Sequence, residues 1–185
     1  MQDEKARWKH LGPCQHVVQF YQSDEALIDT LEAFVGTGLQ EGESVLVIAT
    51  GAHLDRLEHR LRQAGIDLAK ARAADRYLPL DADRMFDLFM ASGRFDSTGF
   101  FEVVGNALER CKSAGRSVRV YGELVALMWA RRHYATALQL EEAWQEQTKR
   151  DGLSVLCSYP QADFSGDAAR MIGDICAAHT DAVYQ

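Results

Sequence analysis

Several residues that could carry chemistry stand where short apolar runs of the sequence end. His53 and Asp81 follow or close two such runs and have the character of an acid and base pair. No serine or cysteine nucleophile is placed beside them by the sequence, and Ser158 and Cys157 lie in a segment without the GxSxG turn of serine hydrolases. The sequence therefore does not predict a catalytic triad.

The turn after the first apolar run decides whether the chain can bind a nucleotide. A phosphate-binding loop needs glycines for close approach of the backbone, a lysine for the phosphates and a serine or threonine for magnesium. Residues 21–25 read Tyr-Gln-Ser-Asp-Glu, with neither glycine nor lysine. Ser23 is a good helix cap, and Asp24 and Glu25 would each repel a phosphate by about 4 kcal/mol at ~4 Å and an effective dielectric of ~20. We expect no triphosphate site, no ATPase activity and no cofactor.

Glu123 follows Gly122 at the end of another apolar run, where a working ATPase holds an acidic partner for magnesium. Without a phosphate cradle that role has no nucleotide to serve. Two interpretations stay open: Glu123 caps the helix that follows, which we favour, or it bonds a ligand hydroxyl.

Histidine and cysteine residues at the two ends of the chain allow a metal hypothesis. Cys14 and His16 near the start, with Cys176 and His179 near the end, give a Cys₂His₂ count. The spacing matches no common zinc module. We favour packing on a half-buried helix face for Cys176 and His179, and a backbone-bonded strand residue for His16. No metal site is predicted.

Aromatic residues near the ends of the same runs indicate a ligand pocket. Their rings can line an apolar cavity while hydroxyl groups orient the ligand. Core packing is the alternative for each residue taken singly. The predicted ligand-binding residues are Phe20, Tyr21, Thr50, His53, Tyr121, Glu123, Trp129 and Tyr159.

Strands that alternate with helices must position these residues. Five apolar runs indicate strands, and apolar stripes at 27–35, 54–61, 85–89, 100–111, 134–144 and 164–175 indicate helices. This alternation predicts a three-layer α/β sandwich with a mostly parallel five-stranded sheet, whose crevice lies outside the carboxyl ends of the strands. The predicted strands are His16–Tyr21, Ser44–Thr50, Tyr77–Asp81, Ser117–Glu123 and Leu153–Tyr159.

Composition indicates one globular domain. The chain has 185 residues, 47% hydrophobic and 25% charged, and its net charge of -7 argues against direct binding to nucleic acid or an anionic membrane. No apolar run approaches the ~20 residues that span a bilayer, and the start of the chain lacks a signal-peptide core. We expect a cytoplasmic protein with reduced thiols, an N-terminal arm at 1–12 and one domain at 13–185.

Five segments of the sequence, HVVQFYQSDEAL, GLQEGESVLVIAT, RVYGELVALMW, LEEAWQ and LCSYP, resemble the MEDS domain, the methanogen/methylotroph sensory domain of DcmR-type regulators. The likeness runs from His16 to about His179. It implies a bacterial sensor of small hydrocarbon-like compounds that acts in transcription regulation. Many relatives carry a DNA-binding or kinase module, for which this chain has no length left. The resemblance therefore implies a stand-alone unit that relays to a partner such as a sensor kinase or transcription regulator.

A more distant similarity is to the KaiC/RecA-type P-loop ATPases. It implies the strand order 77–81, 44–50, 117–123, 153–159, 16–21 and a RecA/KaiC-like fold without a functional P-loop. Two functions remain open. The favoured one is a non-catalytic sensor that binds a small, largely apolar ligand at the carboxyl edge. The alternative is a protein–protein scaffold or pseudo-ATPase that acts through self-association, with no small ligand.

Overall fold

The computed structural model describes residues 12–164 and 171–184. The predicted arm, apart from Gly12, and residues 165–170 of the last predicted helix lie outside the described residues. The elements in chain order are β1 (Gln15–Tyr21), α1 (Asp24–Gln40), β2 (Ser44–Ala49), α2 (Gly51–Gln63), α3 (Leu68–Ala73), β3 (Tyr77–Asp81), α4 (Ala82–Phe89), α5 (Ser97–Lys112), β4 (Val118–Gly122), α6 (Leu124–Ala130), α7 (Tyr134–Asp151), β5 (Ser154–Pro160), α8 (Ile172–Ala177) and β6 (Asp181–Tyr184).

The strands form one parallel sheet in the order β3-β2-β4-β5-β1-β6. The predicted order of the first five strands is confirmed, but the predicted strand count was one short. β6 adds to the free side of β1, where Val17 aligns with Asp181 and Phe20 with Tyr184. The sequence did not reveal this strand because it has only four residues, and they are half-buried or exposed instead of a continuous apolar run.

Helices cover both faces of the sheet and divide the core in two. Alternate residues of each strand point to opposite faces, so Val17 and Tyr21 of β1 pack with α1, α2 and α3, whereas Val18 and Phe20 pack with α4 to α8. All six residues of β2 are buried, as a strand between two helical layers requires. The predicted three-layer sandwich is confirmed.

The first helix begins where the sequence predicts. The Ser23 hydroxyl accepts the Ala26 N–H at 3.3 Å, which satisfies one of the amide groups that a helix start leaves unpaired. The apolar stripe of Leu27, Leu31 and Phe34 then faces the sheet and is fully buried. In the described part of the chain, no helix combines the length and apolar character that crossing a bilayer requires.

Candidate functional site

The carboxyl edge of the sheet holds a buried carboxylate bonded to two residues of a neighbouring element. Glu123, directly after β4, accepts the Thr50 N–H at 2.8 Å and the His53 Nδ1–H at 2.8 Å. The Thr50 hydroxyl lies 3.4 Å from the same carboxylate. The favoured interpretation of Glu123 as a cap of its own helix was wrong, because its side chain makes no cap bond to α6 and instead holds the start of α2. We call Thr50, His53 and Glu123 the rim triad.

Proton affinity in the rim triad is shifted by the contact between His53 and Glu123. The hydrogen bond to the carboxylate raises the His53 pKa, although burial works against it. The His53 side chain is 12% exposed and that of Glu123 6%, so the pair is largely buried and His53 is its more accessible member. A part-buried histidine and carboxylate at the carboxyl edge of an α/β sheet is the kind of group that orients a ligand or responds to pH.

The start of α1, where a nucleotide phosphate would bind in a P-loop protein, carries the protein's own anions. Arg56 of α2 lies 3.4 Å from Asp24 and 2.7 Å from Glu25, and His53 Nε2 lies 3.8 Å from Asp24. The positive charge of Arg56 partly cancels the charge of the two carboxylates. Their repulsion of a phosphate is therefore weaker than the value of about 4 kcal/mol each that was expected from the sequence. The Ala26 amide is bonded to Ser23, and the Arg56 cation is paired with Asp24 and Glu25, so a phosphate would have to displace these partners.

The aromatic residues that the sequence places at one edge lie on two faces of the sheet. Phe20, Trp129 and Tyr159 belong to one core, with ring centroids of Trp129 and Tyr159 at 5.9 Å. Tyr21 and Tyr121 belong to the other core. Phe20 and Trp129 also contact Phe164, at 5.3 and 5.0 Å, so these rings fill space against one another instead of lining a common cavity.

Asp81 lies at the same edge but does not pair with His53. Its carboxylate accepts the Arg84 N–H at 3.0 Å and caps α4. The described partners of His53 are instead Glu123 and Asp24. His53 and Asp81 therefore do not form the acid and base pair that the sequence allowed.

A cleft of about 490 Å³ lies outside the sheet, between the loop before α5 and the first half of α7. Apolar side chains such as Phe95, Phe101 and Leu140 line it together with polar groups such as His133 and Gln139. None of these residues was predicted as a site from the sequence. Its volume suits a small organic molecule, so this cleft competes with the carboxyl edge as a ligand site.

A second polar cluster is enclosed in the core between β1, β5, α7 and the segment before β6. The ligating atoms of His16, Glu141, Cys157 and His179 all lie within 4.8 Å of one another, and all four residues are buried. His16 Nε2 and His179 Nε2 lie 3.3 and 3.4 Å from Glu141 Oε2, and His16 Nε2 lies 3.4 Å from Cys157 Sγ. We call these four residues the buried tetrad.

Burial and the glutamate determine proton affinity in the buried tetrad. Burial lowers the pKa of His16 despite the neighbouring Glu141, whereas at His179 the glutamate outweighs burial and raises the pKa. Burial opposes ionisation of Glu141, but the two histidines outweigh it and hold its pKa below the usual range. Burial also raises the pKa of the Cys157 thiol.

The metal hypothesis from the sequence combined His16 and His179 with Cys14 and Cys176, which the structure does not bring into the tetrad. Cys14 is exposed, and Cys176 Sγ lies 3.8 Å from the Tyr184 hydroxyl. His16 does bond to backbone as predicted, since its Nδ1 lies 3.2 Å from the Ala178 carbonyl. The sequence did hold one signal that His16 and Cys157 lie close together. Alternate residues of a strand share a face, so His16 lies on the same face as Val18, which pairs with Cys157 in the neighbouring strand. Glu141 carried no such signal.

Comparisons with known proteins agree with this architecture. The crystal structure of the KaiC-like protein PH0186 from the hyperthermophilic archaeon Pyrococcus horikoshii OT3 superposes with a TM-score of 0.63 at 10% identity, covering 93% of this chain and 71% of that one. This similarity supports the RecA/KaiC-like fold alone. A search of curated proteins found no match. The sequence model of the MEDS family, the methanogen/methylotroph DcmR sensory domain, matches residues 15–180, and the chain therefore belongs to the MEDS family of sensory domains.

Proposed function

We infer that this sensory domain is non-catalytic and that it detects a small, largely apolar molecule at the carboxyl edge of its sheet. The observation that carries the proposal is the rim triad, which stands where the fold family places its ligand crevice. A partly open histidine and carboxylate can orient one hydrogen-bonding group of a ligand. Tyr21 packs with α2 on the same face of the sheet and would add apolar contact.

Loss of nucleotide chemistry supports the non-catalytic part of the proposal. The start of α1 has no lysine or glycine, and its first-turn carboxylates are held by Arg56. Without a phosphate cradle, Glu123 has no bound magnesium nucleotide to act on. Recognition of a ligand is a role that does not require these missing groups.

A route for the signal also follows from the rim triad. A ligand that engages Glu123 competes with the Thr50 amide and with His53, which both belong to the start of α2. Occupancy therefore changes how β4 holds α2, whose outer face is exposed at His59. We propose that a protein partner, such as a sensor kinase or transcription regulator, reads this change.

Thermal unfolding in the presence of small alkanes, alkenes and alcohols tests the proposal. A ligand at 100 times its dissociation constant adds about 2.7 kcal/mol to the free energy of unfolding. His53→Gln should abolish that stabilisation, whereas His59→Gln, on the exposed face of the same helix, should leave it unchanged.

Two results would count against the proposal. If no compound in a broad panel stabilises the protein and the purified chain self-associates, the scaffold alternative is favoured. If a compound stabilises the protein but Gln139→Ala removes the effect while His53→Gln does not, the ligand binds in the cleft beside α7 and not at the rim triad.

A further inference from the structure

The two histidines of the buried tetrad are held in the orientation that metal-binding histidines adopt. His179 Nδ1–H donates to the Ile175 carbonyl at 2.6 Å, and His16 Nδ1–H to the Ala178 carbonyl at 3.2 Å. A neutral imidazole that donates from Nδ1 carries its lone pair on Nε2. Both lone pairs therefore point into the tetrad, and a backbone carbonyl behind each ring is the usual outer support of a metal ligand.

When both histidines are neutral, the Cys157 thiol is the one hydrogen-bond donor among the four atoms that meet inside the tetrad. Within the described part of the chain, neither Glu141 Oε2 nor His179 Nε2 has a hydrogen-bond partner of acceptable geometry, and both atoms are buried. Yet each lies 3.4 Å from the other. Buried polar atoms without a partner are rare and costly, and a metal cation between them would satisfy both.

Three of the six separations among the ligating atoms agree with tetrahedral coordination of one small ion, and the other pairs, all within 4.8 Å, would draw closer when the ion binds. Zinc bonds to histidine nitrogen and carboxylate oxygen at about 2.0–2.1 Å and to thiolate sulfur at about 2.3 Å. The edge of a tetrahedron is ~1.63 times its centre-to-corner distance, which gives about 3.3–3.4 Å between nitrogen and oxygen ligands and about 3.5 Å between nitrogen and sulfur. The observed separations are 3.3 and 3.4 Å for nitrogen and oxygen, and 3.4 Å for nitrogen and sulfur.

We propose that His16, Glu141, Cys157 and His179 bind one divalent transition-metal ion, with zinc the best match to two nitrogen, one oxygen and one sulfur ligand. Four protein ligands complete a tetrahedron, and their burial leaves no position for substrate, so the site is structural. Tyr159 supports it from outside, since its hydroxyl donates to Glu141 Oε1 at 2.6 Å.

Such a site would link the segment before β6 to β1, β5 and α7. His16 is the second residue of β1, Cys157 lies in β5, Glu141 lies in α7, and His179 is two residues before the start of β6. β6 is a short edge strand, and Tyr184 within it is 61% exposed. Metal binding therefore orders the segment that carries β6. The site is separate from the rim triad, so this inference stands or fails independently of the proposed ligand.

A buried ion pair is the competing state of the same residues. A proton on His179 Nε2 would satisfy Glu141, and the Cys157 thiol would donate to His16 Nε2. In that state the tetrad stabilises the fold without any metal. Metal content of the purified full chain, and cobalt binding by chain stripped of metal, separate the two states.

The expected result is one metal ion for each chain, released when the protein is unfolded in a chelator. Stripped wild-type protein should bind Co²⁺ with the strong visible bands of a tetrahedral site and a near-ultraviolet thiolate-to-cobalt band. Cys157→Ser should lose the thiolate band, and His179→Gln should weaken cobalt binding. Cys111→Ser is the matched control, because Cys111 is a buried thiol of the same core outside the tetrad.

Cobalt titration of the wild-type chain keeps the test decisive even where a variant does not fold. If folded, stripped wild-type protein binds neither Co²⁺ nor Zn²⁺, the proposal is overturned and the buried ion pair stands. It is also overturned if Cys157→Ser binds Co²⁺ with the same thiolate band as wild type, since the sulfur ligand then comes from elsewhere.

Discussion

Glu123→Gln should destabilise the protein because the carboxylate ties two strand ends together. It accepts two hydrogen bonds at 2.8 Å, from the Thr50 amide and from His53. A hydrogen bond to a charged group contributes about 1.5–3 kcal/mol. Glutamine keeps one acceptor oxygen but turns its NH₂ group towards a donor. We therefore expect a loss of about 2–3 kcal/mol in the free energy of unfolding, which lowers Tm by about 4–12 °C in a domain of this size.

The same substitution should change how stability depends on pH. The hydrogen bond to Glu123 raises the His53 pKa above its ordinary value of 6.5. A raised pKa in the folded state contributes stability that is fully present below pH 6.5 and is lost as the pH rises through the raised pKa. The difference in stability between wild type and Glu123→Gln should therefore be largest at acid pH and should narrow above neutrality.

Urea unfolding measured across this pH range gives both quantities. Glu142→Gln makes the same chemical change at an exposed position of α7 and should alter stability by less than about 0.5 kcal/mol. A Glu123→Gln loss no greater than that of the control would refute the reasoning. So would a wild-type advantage that does not shrink as the pH rises.

Three further substitutions test the packing and the buried tetrad. Tyr159→Phe removes the hydroxyl that donates to Glu141, which should lower the free energy of unfolding by about 1–3 kcal/mol. If the tetrad holds a metal, the same substitution should weaken Co²⁺ affinity about 10–100-fold, measured by titration. Unchanged stability would contradict this prediction. Gly152→Ala should destabilise by about 1 kcal/mol, because Gly152 ends α7 at φ +66. Gly105 lies inside α5 with free space for a Cβ, so Gly105→Ala should instead stabilise the protein by about 0.5–1 kcal/mol. If urea unfolding shows that both glycine substitutions stabilise, or that both destabilise, this reasoning is refuted.

Much of the fold follows from patterns that extend over several residues. The run at 45–49 is continuously apolar because helices cover both faces of β2, and Ser23 marks the start of α1 because its hydroxyl replaces a missing backbone partner. Parallel crossovers leave few possible strand orders, and the similarity to KaiC/RecA-type ATPases implied the observed order of the first five strands. β6 escaped this reasoning because an edge strand of four partly exposed residues has no such pattern.

The sites depended on contacts that periodicity does not determine. Thr50, His53 and Glu123 could be placed at one edge from strand ends alone, but the direction of the Glu123 side chain depends on the packing of α2. The buried tetrad joins residues up to 163 positions apart in the chain, 16 and 179. Glu141 looks like an ordinary polar residue in its helix, so only the docking of α7 on β5 reveals its partners.

Amide chemical-shift mapping of the isotope-labelled protein tests the sensory account most directly. A compound that stabilises the protein in the thermal screen should perturb the Thr50 amide most strongly, because that N–H donates to Glu123. Magnesium ATP should leave the amides at the start of α1 unchanged. Ligand-induced shifts confined to residues around Phe101 and His133, or saturable shifts at Ser23 and Asp24 with magnesium ATP, would contradict the account.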